Sequence, residues 1–244
     1  MTNTDWNDPA DWYDVLNPWG PSDDFYLGLV MESDRVLDVG CGTGALLHRA
    51  RDVGHPGRLA GLDPDLAMLA QARAGASTGI DWVQADAASM PAQWTGEFDL
   101  AVMTGHAFQN LITDDDLRKS LHTIHEAIAQ GGRFAFETRH PRARAWESWH
   151  NSSFTARNPD GGIVTVSYEV QEVAGDIVSL TETFAGQWWE QPHTDHGTLR
   201  FIAPEALASF LHEAGFVVEE QYGDWDRAQL TGTSKEIITI ARRA

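Results

Sequence analysis

The sequence predicts a doubly wound, mostly parallel α/β sheet of seven strands carrying a small antiparallel β insertion, and three observations predict it. Short apolar runs alternate with helical stretches across residues 35–137, the order that builds a parallel sheet with crossover helices. Residues 100–103 are apolar without a break, as in a strand buried on both faces. Residues 163–171 instead alternate strictly, with Val164, Val166, Tyr168 and Val170 on one side, so antiparallel pairing is expected there.

Residues 1–21, rich in Asp, Asn, Pro and Trp, hold no sustained period and read as a lid or arm. Ser22 is a good cap for a helix over 22–31, with Asp23 and Asp24 in its first turn and Phe25, Leu29 and Val30 on one face. A strand at 35–39 follows, then a helix that breaks at Gly54, Pro56 and Gly57, then a second strand over 58–62 ending at Asp63. Pro64 suits a first helical turn, so the next helix runs from there to just before Gly75. Strands at 81–84 and 98–103 lead to the clearest helix, 113–130: Thr113 and Asp116 open it, Leu117, Leu121, Ile124 and Ile128 share a face, and Gly131 closes it. A fifth strand spans 133–137. Past it, 163–171 and 177–184 form a hairpin turning at Gly175 and Asp176, and 198–202 adds a third strand. Pro204 then opens another helix, and strands at 216–221 and 236–241 complete the chain. The expected division is a core of 1–138 and 203–244, with the N-terminal arm as a lid, and an insertion of 139–202 capping the substrate.

Composition excludes several function classes. Lys and Arg number 17 against 36 Asp and Glu, a formal charge of -19, which opposes any long stretch of phosphate backbone. Nucleic acid is therefore not an expected partner. Cys41 is the one cysteine, so no internal disulfide forms and a reducing, cytoplasmic location is expected. The first residues show neither the basic start nor the apolar run of a signal peptide, and no segment approaches membrane-spanning length.

The chemistry concentrates in R-V-L-D-V-G-C-G-T-G-A-L-L, residues 35–47. Gly40, Gly42 and Gly44 suit a strand-to-helix loop that must accept positive φ and admit a ligand close to its backbone. The glycines alone also satisfy a dinucleotide fingerprint, leaving a nicotinamide oxidoreductase open. Three acids favour another ligand. Asp38 lies two residues before Gly40, where a pyrophosphate gains nothing from a negative charge and an amine does. Asp63 ends the second strand, placed for a ribose diol, and Asp86 ends the third, placed for an adenine amino group. Together they describe a nucleoside with a cationic tail.

V-L-D-V-G-C-G-T-G, L-A-G-L-D-P-D-L-A-M-L-A, Q-A-D-A-A-S-M-P, F-D-L-A-V-M-T-G-H-A and G-G-R-F-A-F-E-T, in that order over residues 30–138, resemble the successive motifs of class I S-adenosylmethionine-dependent methyltransferases. The resemblance implies a Rossmann-like sheet with an antiparallel last strand, S-adenosylmethionine as cofactor with S-adenosylhomocysteine as product, and methyl transfer to a nitrogen or oxygen. It places Gly40, Cys41, Gly42 and Gly44 along the methionine portion with Asp38 supporting the amine, Asp63 and Pro64 at the ribose, Asp86 and Ala87 at the adenine, and Met103 and Thr104 on the sulfonium side. A cofactor-binding protein without turnover shares the same motifs.

Acceptor residues are expected from the loops around that edge. His106, just after the fourth strand, is a base or an orienting group. Arg139 opens the run R-H-P-R-A-R and suits an anionic group. Trp12 and Tyr13 in the arm, Trp188 in the insertion and Trp225 after the sixth strand suggest an aromatic chamber, with packing of the insertion as the other reading of the tryptophans. His193 with His196, and His122 with His125, lack a third ligand, so no metal is expected. The expected partner is a small-molecule acceptor, and the chain is expected to act as a monomer or homodimer.

Overall fold

The computed structural model describes residues 6–244. The chain runs α1 (Pro9–Leu16), α2 (Pro21–Met31), β1 (Arg35–Val39), α3 (Ala45–Asp52), β2 (Arg58–Asp63), α4 (Leu66–Ala74), β3 (Ile80–Gln84), β4 (Phe98–Met103), α5 (Asp114–Ala127) and β5 (Ile128–Arg139). It continues through α6 (Trp146–Trp149), β6 (Ser152–Arg157), β7 (Ile163–Ala174), β8 (Ile177–Gly186), β9 (His193–Arg200), α7 (Pro204–Glu213), β10 (Phe216–Tyr222) and β11 (Glu236–Arg243). One seven-stranded sheet has the order β10-β11-β5-β4-β1-β2-β3, and β6-β7-β8-β9 form a separate four-stranded sheet. β11 runs antiparallel to both β5 and β10, and the ladders among β1 to β5 are parallel.

Alternation along the strands sets the layers. Leu37, Val39, Ala101 and Phe134 point to the side covered by Leu117, Leu121 and Ile124 of α5 and Leu207 and Leu211 of α7. Val36, Leu100, Val102 and Ala135 point the other way, toward Leu29 and Val30 of α2 and Leu46 and Leu47 of α3. Both faces are therefore dry, as parallel strands require. A third cluster joins α1 to the insertion through Trp12, Val164, Val166 and Phe184.

The structure corrects several sequence expectations. Residues 9–16 of the arm are a helix: Asp8 accepts from the Ala10 amide at 2.9 Å, Asp11 completes a capping box, and Pro9 occupies the first turn. The first five residues of the predicted arm lie outside the described ones. Gly20, not Ser22, caps α2, and Asp23 receives the Gly20 amide at 2.8 Å. α4 starts at Leu66 because Asp65 caps it, with Pro64 outside the helix. α5 ends at Ala127, not Gln130, since Ile128 leaves the helix to pair with Phe98 on β4. The third insertion strand is His193–Arg200, and β6 adds an unpredicted fourth.

Candidate active site

β2 lies on one side of β1 and β4 on the other, and the crevice beyond the carboxyl ends at such a reversal is where open α/β sheets take ligands. A cleft of about 420 Å³ lies there; of the residues expected at the cofactor, Gly40, Gly42, Asp63, Pro64, Asp86, Ala87, Met103 and Thr104 line it, and Asp38, Cys41 and Gly44 do not. Met68, Asn110 and Leu111 also line it; nothing in their local sequence marks them.

The glycine loop is tied to β2. The Gly40 and Cys41 amides both donate to the Leu62 carbonyl, at 2.8 and 2.9 Å. Asp63 accepts from the Gly42 amide at 2.8 Å through Oδ2 and from the Asp65 amide at 2.9 Å through Oδ1. Gly44 has φ +76°, and a Cβ there would stand 2.3 Å from Trp82 Cη2, so the position demands glycine on both counts. Cys41 is buried beneath the loop, and burial pushes its thiol far above the ordinary range, which rules against a nucleophile.

Asp38 stands behind the loop, 1% exposed, and its Oδ1 has no hydrogen-bond partner. Burial, and then the charges of Asp63 and Glu137, push its carboxyl up to about 8. Burial also raises Asp63, against the two backbone bonds that lower it. A buried acid with an open lone pair is stabilised by an incoming cation. Asp86 is exposed, and its Oδ1 accepts from the Ala88 amide at 2.9 Å and the Ser89 hydroxyl at 2.7 Å. A buried acid behind the loop, a second acid at the end of β2 and a mainly apolar cleft fit a cationic nucleoside better than a diphosphate.

His106 adopts φ +62°, and its amide donates to Glu137 Oε1 at 2.7 Å while its Nε2 lies 2.9 Å from Glu236 Oε2. Tyr26 donates its hydroxyl to the other oxygen of Glu137, and burial above all raises the Glu137 carboxyl. Glu236 thus orients the imidazole, behind the Gly105 and Ala107 positions that line the cleft.

A second space of about 550 Å³ lies between α1 and the inner face of the insertion sheet. It shares Tyr13, Asp65, Met68 and Gly105 with the cleft, so the two adjoin across these residues. Of the expected acceptor residues, Tyr13 lines both. Trp12 is fully buried, with Trp188 edge-on at 4.6 Å, so these two seal the packing of α1 on the insertion and do not line the chamber. Trp225 packs against Phe25 and Tyr26. Large rings gain most from full burial. Arg139 donates to Gln109 at 2.9 Å, stacks on Trp149 and borders a different cavity with Arg144, Lys235 and Glu236. The chamber wall comes instead from Phe154, Tyr168, Glu182, Phe184, His193 and Asp195. A tyrosine within the apolar face of 163–171 was the one available sign. His193 is held by Asp195 at 3.0 Å and His122 lies 3.4 Å from Glu126.

Residues 36–132 match the family model of the methyltransferase domain. Over that stretch, about two fifths of the chain, it is similar to the methyltransferase domain of S-adenosylmethionine-dependent enzymes. A 2-phytyl-1,4-naphtoquinone methyltransferase of Thermosynechococcus vestitus is 33% identical over 117 residues, 46% of this chain and 50% of that protein, so the chain spans about half the length of that relative. A putative methyltransferase of Geobacillus sp. is 22% identical over 96% of this chain and 98% of its own length. Among solved structures, CalS10 of Micromonospora echinaspora, an amino pentose methyltransferase with S-adenosylmethionine bound, superposes with a TM-score of 0.68 at 22% identity, covering 93% of each chain. The chain shares the fold of that structure across nearly its whole length. No helix among the described residues is long and apolar enough to cross a membrane.

Proposed function

We propose that this methyltransferase moves a methyl group from S-adenosylmethionine to a nitrogen or oxygen of a small molecule held between α1 and the insertion sheet. The observation that carries the reading is the chamber of about 550 Å³ that adjoins the cofactor cleft across Tyr13, Asp65, Met68 and Gly105. Its size suits a small acceptor, and a formal charge of -19 argues against a polyanionic one. S-adenosylmethionine, when bound, supplies an electrophilic methyl on a sulfonium. The chain's residues bind, enclose and align. Asp38 meets the amine, the glycine loop lies along the methionine portion, Asp63 holds the ribose hydroxyls, and Asp86 with Ala87 borders the base. α1 and the insertion exclude water, and such alignment and desolvation account for much of a displacement's rate.

His106 lines neither the cleft nor the chamber, but Gly105 before it borders both and Ala107 after it borders the cleft. From there it is proposed to orient the acceptor or hold its proton, its imidazole leaving Glu236 to do so. His106→Ala is expected to lower turnover about a hundredfold or more with affinity for S-adenosylhomocysteine retained; unchanged turnover would reduce the residue to packing. The function itself is tested by incubating the protein with methyl-labelled S-adenosylmethionine and a panel of small amines and alcohols. Label transferred to a small molecule supports the reading. Cofactor binding with no transfer to any of them, or transfer to RNA or protein, contradicts it.

A further inference from the structure

We infer that the chamber takes an acceptor that carries an ammonium group, and that Glu182, held by Tyr168, is the residue that selects it. Where that nitrogen is itself the one methylated, its proton passes to the Glu182 carboxylate before the freed lone pair attacks the methyl and S-adenosylhomocysteine leaves. This deepens the proposed methyl transfer and rests on it. The register of the insertion sheet carries the inference. Tyr168 on β7 lies directly across from Glu182 on β8, which lies directly across from Asp195 on β9. Two residues along, Phe184 opposes Val166 and His193, and Phe154 on β6 opposes Val166. All these positions share one face by strand parity, and that face bounds the chamber. The row Tyr168, Glu182, Asp195 thus crosses three strands as a polar stripe beside an apolar row.

Like charges directly opposed across a ladder destabilise a sheet, and Glu182 and Asp195 are so opposed. Tyr168 donates its hydroxyl to Glu182 Oε1 at 2.7 Å, and the exposed Asp195 is held at the rim by His193 at 3.0 Å. Burial raises the Glu182 carboxyl, Asp195 raises it further, and the Tyr168 bond opposes both. A cation in the chamber relieves that burden. The rest of the wall has the same character: among the described residues Asp8 and Asp65 are its other acids and no Lys or Arg lines it, and Tyr13, Phe154, Tyr168 and Phe184 present aromatic surface. Aromatic faces attract cations, and an ammonium adds to its hydrogen bonds with a carboxylate a direct charge–charge attraction that a hydroxyl lacks. Walls of this kind reward an amine over an alcohol of the same shape.

Cyclohexylamine and cyclohexanol, one ring with and without the charge, test the inference on full-length protein saturated with S-adenosylhomocysteine. Titration at pH 7 followed by saturation-transfer NMR is expected to show the amine binding about tenfold or more tighter than the alcohol. Glu182→Gln is expected to erase that preference and, by removing the charge opposed to Asp195, to raise Tm, and Tyr168→Phe to narrow the preference and lower Tm, with affinity for S-adenosylhomocysteine unchanged in both. Equal or tighter binding of cyclohexanol, a preference that survives in Glu182→Gln, or binding of neither probe overturns the assignment. Calorimetry on the same samples separates the two readings. Loss of S-adenosylhomocysteine binding sinks the methyl-transfer reading and this one with it, whereas retained binding without an amine preference sinks this one alone.

Discussion

Asp38→Asn is expected to stabilise the ligand-free protein at alkaline pH while lowering its affinity for S-adenosylhomocysteine about 10- to 100-fold. The reason is the same carboxyl seen twice. Its folded-state pKa of about 8 lies well above the unfolded value of about 3.9, so the folded protein holds a proton that the unfolded chain has released. Stability from this group is full below the unfolded value, declines as pH rises from about 4, and is lost once pH passes about 8. An asparagine has no charge to bury, so the variant keeps at pH 9 what the wild type loses, a gain of a few kcal/mol. Thermal denaturation of both proteins between pH 5 and pH 9 measures the difference. A cationic ligand acts oppositely, because it favours the ionised carboxylate and expels the proton. Calorimetric titration of the wild type at pH 7 in two buffers of different ionisation enthalpy should therefore report proton release. Parallel pH profiles for the two proteins, or binding without proton release, would contradict the role given to Asp38.

Trp12→Ala is expected to cost about 3–5 kcal/mol and to uncouple α1 from the insertion. The ring is fully buried, 4.9 Å from Trp6 and 4.6 Å from Trp188, and it packs on Val164, Val166 and Phe184. No small change elsewhere replaces that surface. α1 also reaches the cofactor loop, where Asp14 accepts from the Thr43 hydroxyl at 2.7 Å and Tyr13 lies against Gly42. Loosening Trp12 therefore opens the chamber and loosens one wall of the cleft together. Urea unfolding gives the stability loss, and amide exchange should show residues 9–16 and 163–186 opening in concert in the variant. Protection unchanged in those segments would mean that α1 and the insertion are held by something other than this ring.

The sequence made legible what depends on near neighbours. Gly40, Gly42 and Gly44 require their backbone, and Asp63 and Asp86 end strands whose apolar runs stand out, so the cleft follows from residues close in the chain. The helix at 9–16 is only eight residues long and is set by a capping box amid Pro, Asp and Trp, which hides any period. Ile128 continues the helical repeat of 113–127, yet its pairing with Phe98 pulls it into β5; that competition is tertiary. The chamber wall was the least legible part. Tyr168 and Glu182 meet only through a ladder register, and the partner that orients His106 is Glu236, 130 residues away. The tryptophans misled for a related reason: abundance marks where rings are, and burial decides whether they face a ligand.

The central claim is that the cleft beyond β1, β2 and β4 holds S-adenosylmethionine through Asp63 and the glycine loop. Calorimetric titration of S-adenosylhomocysteine into the wild type and into Asp63→Ala, with the fold of each checked by circular dichroism, tests it most directly. The wild type should bind one equivalent, and the folded variant about tenfold or more weakly. No binding to the wild type, or binding undiminished in Asp63→Ala, contradicts the account.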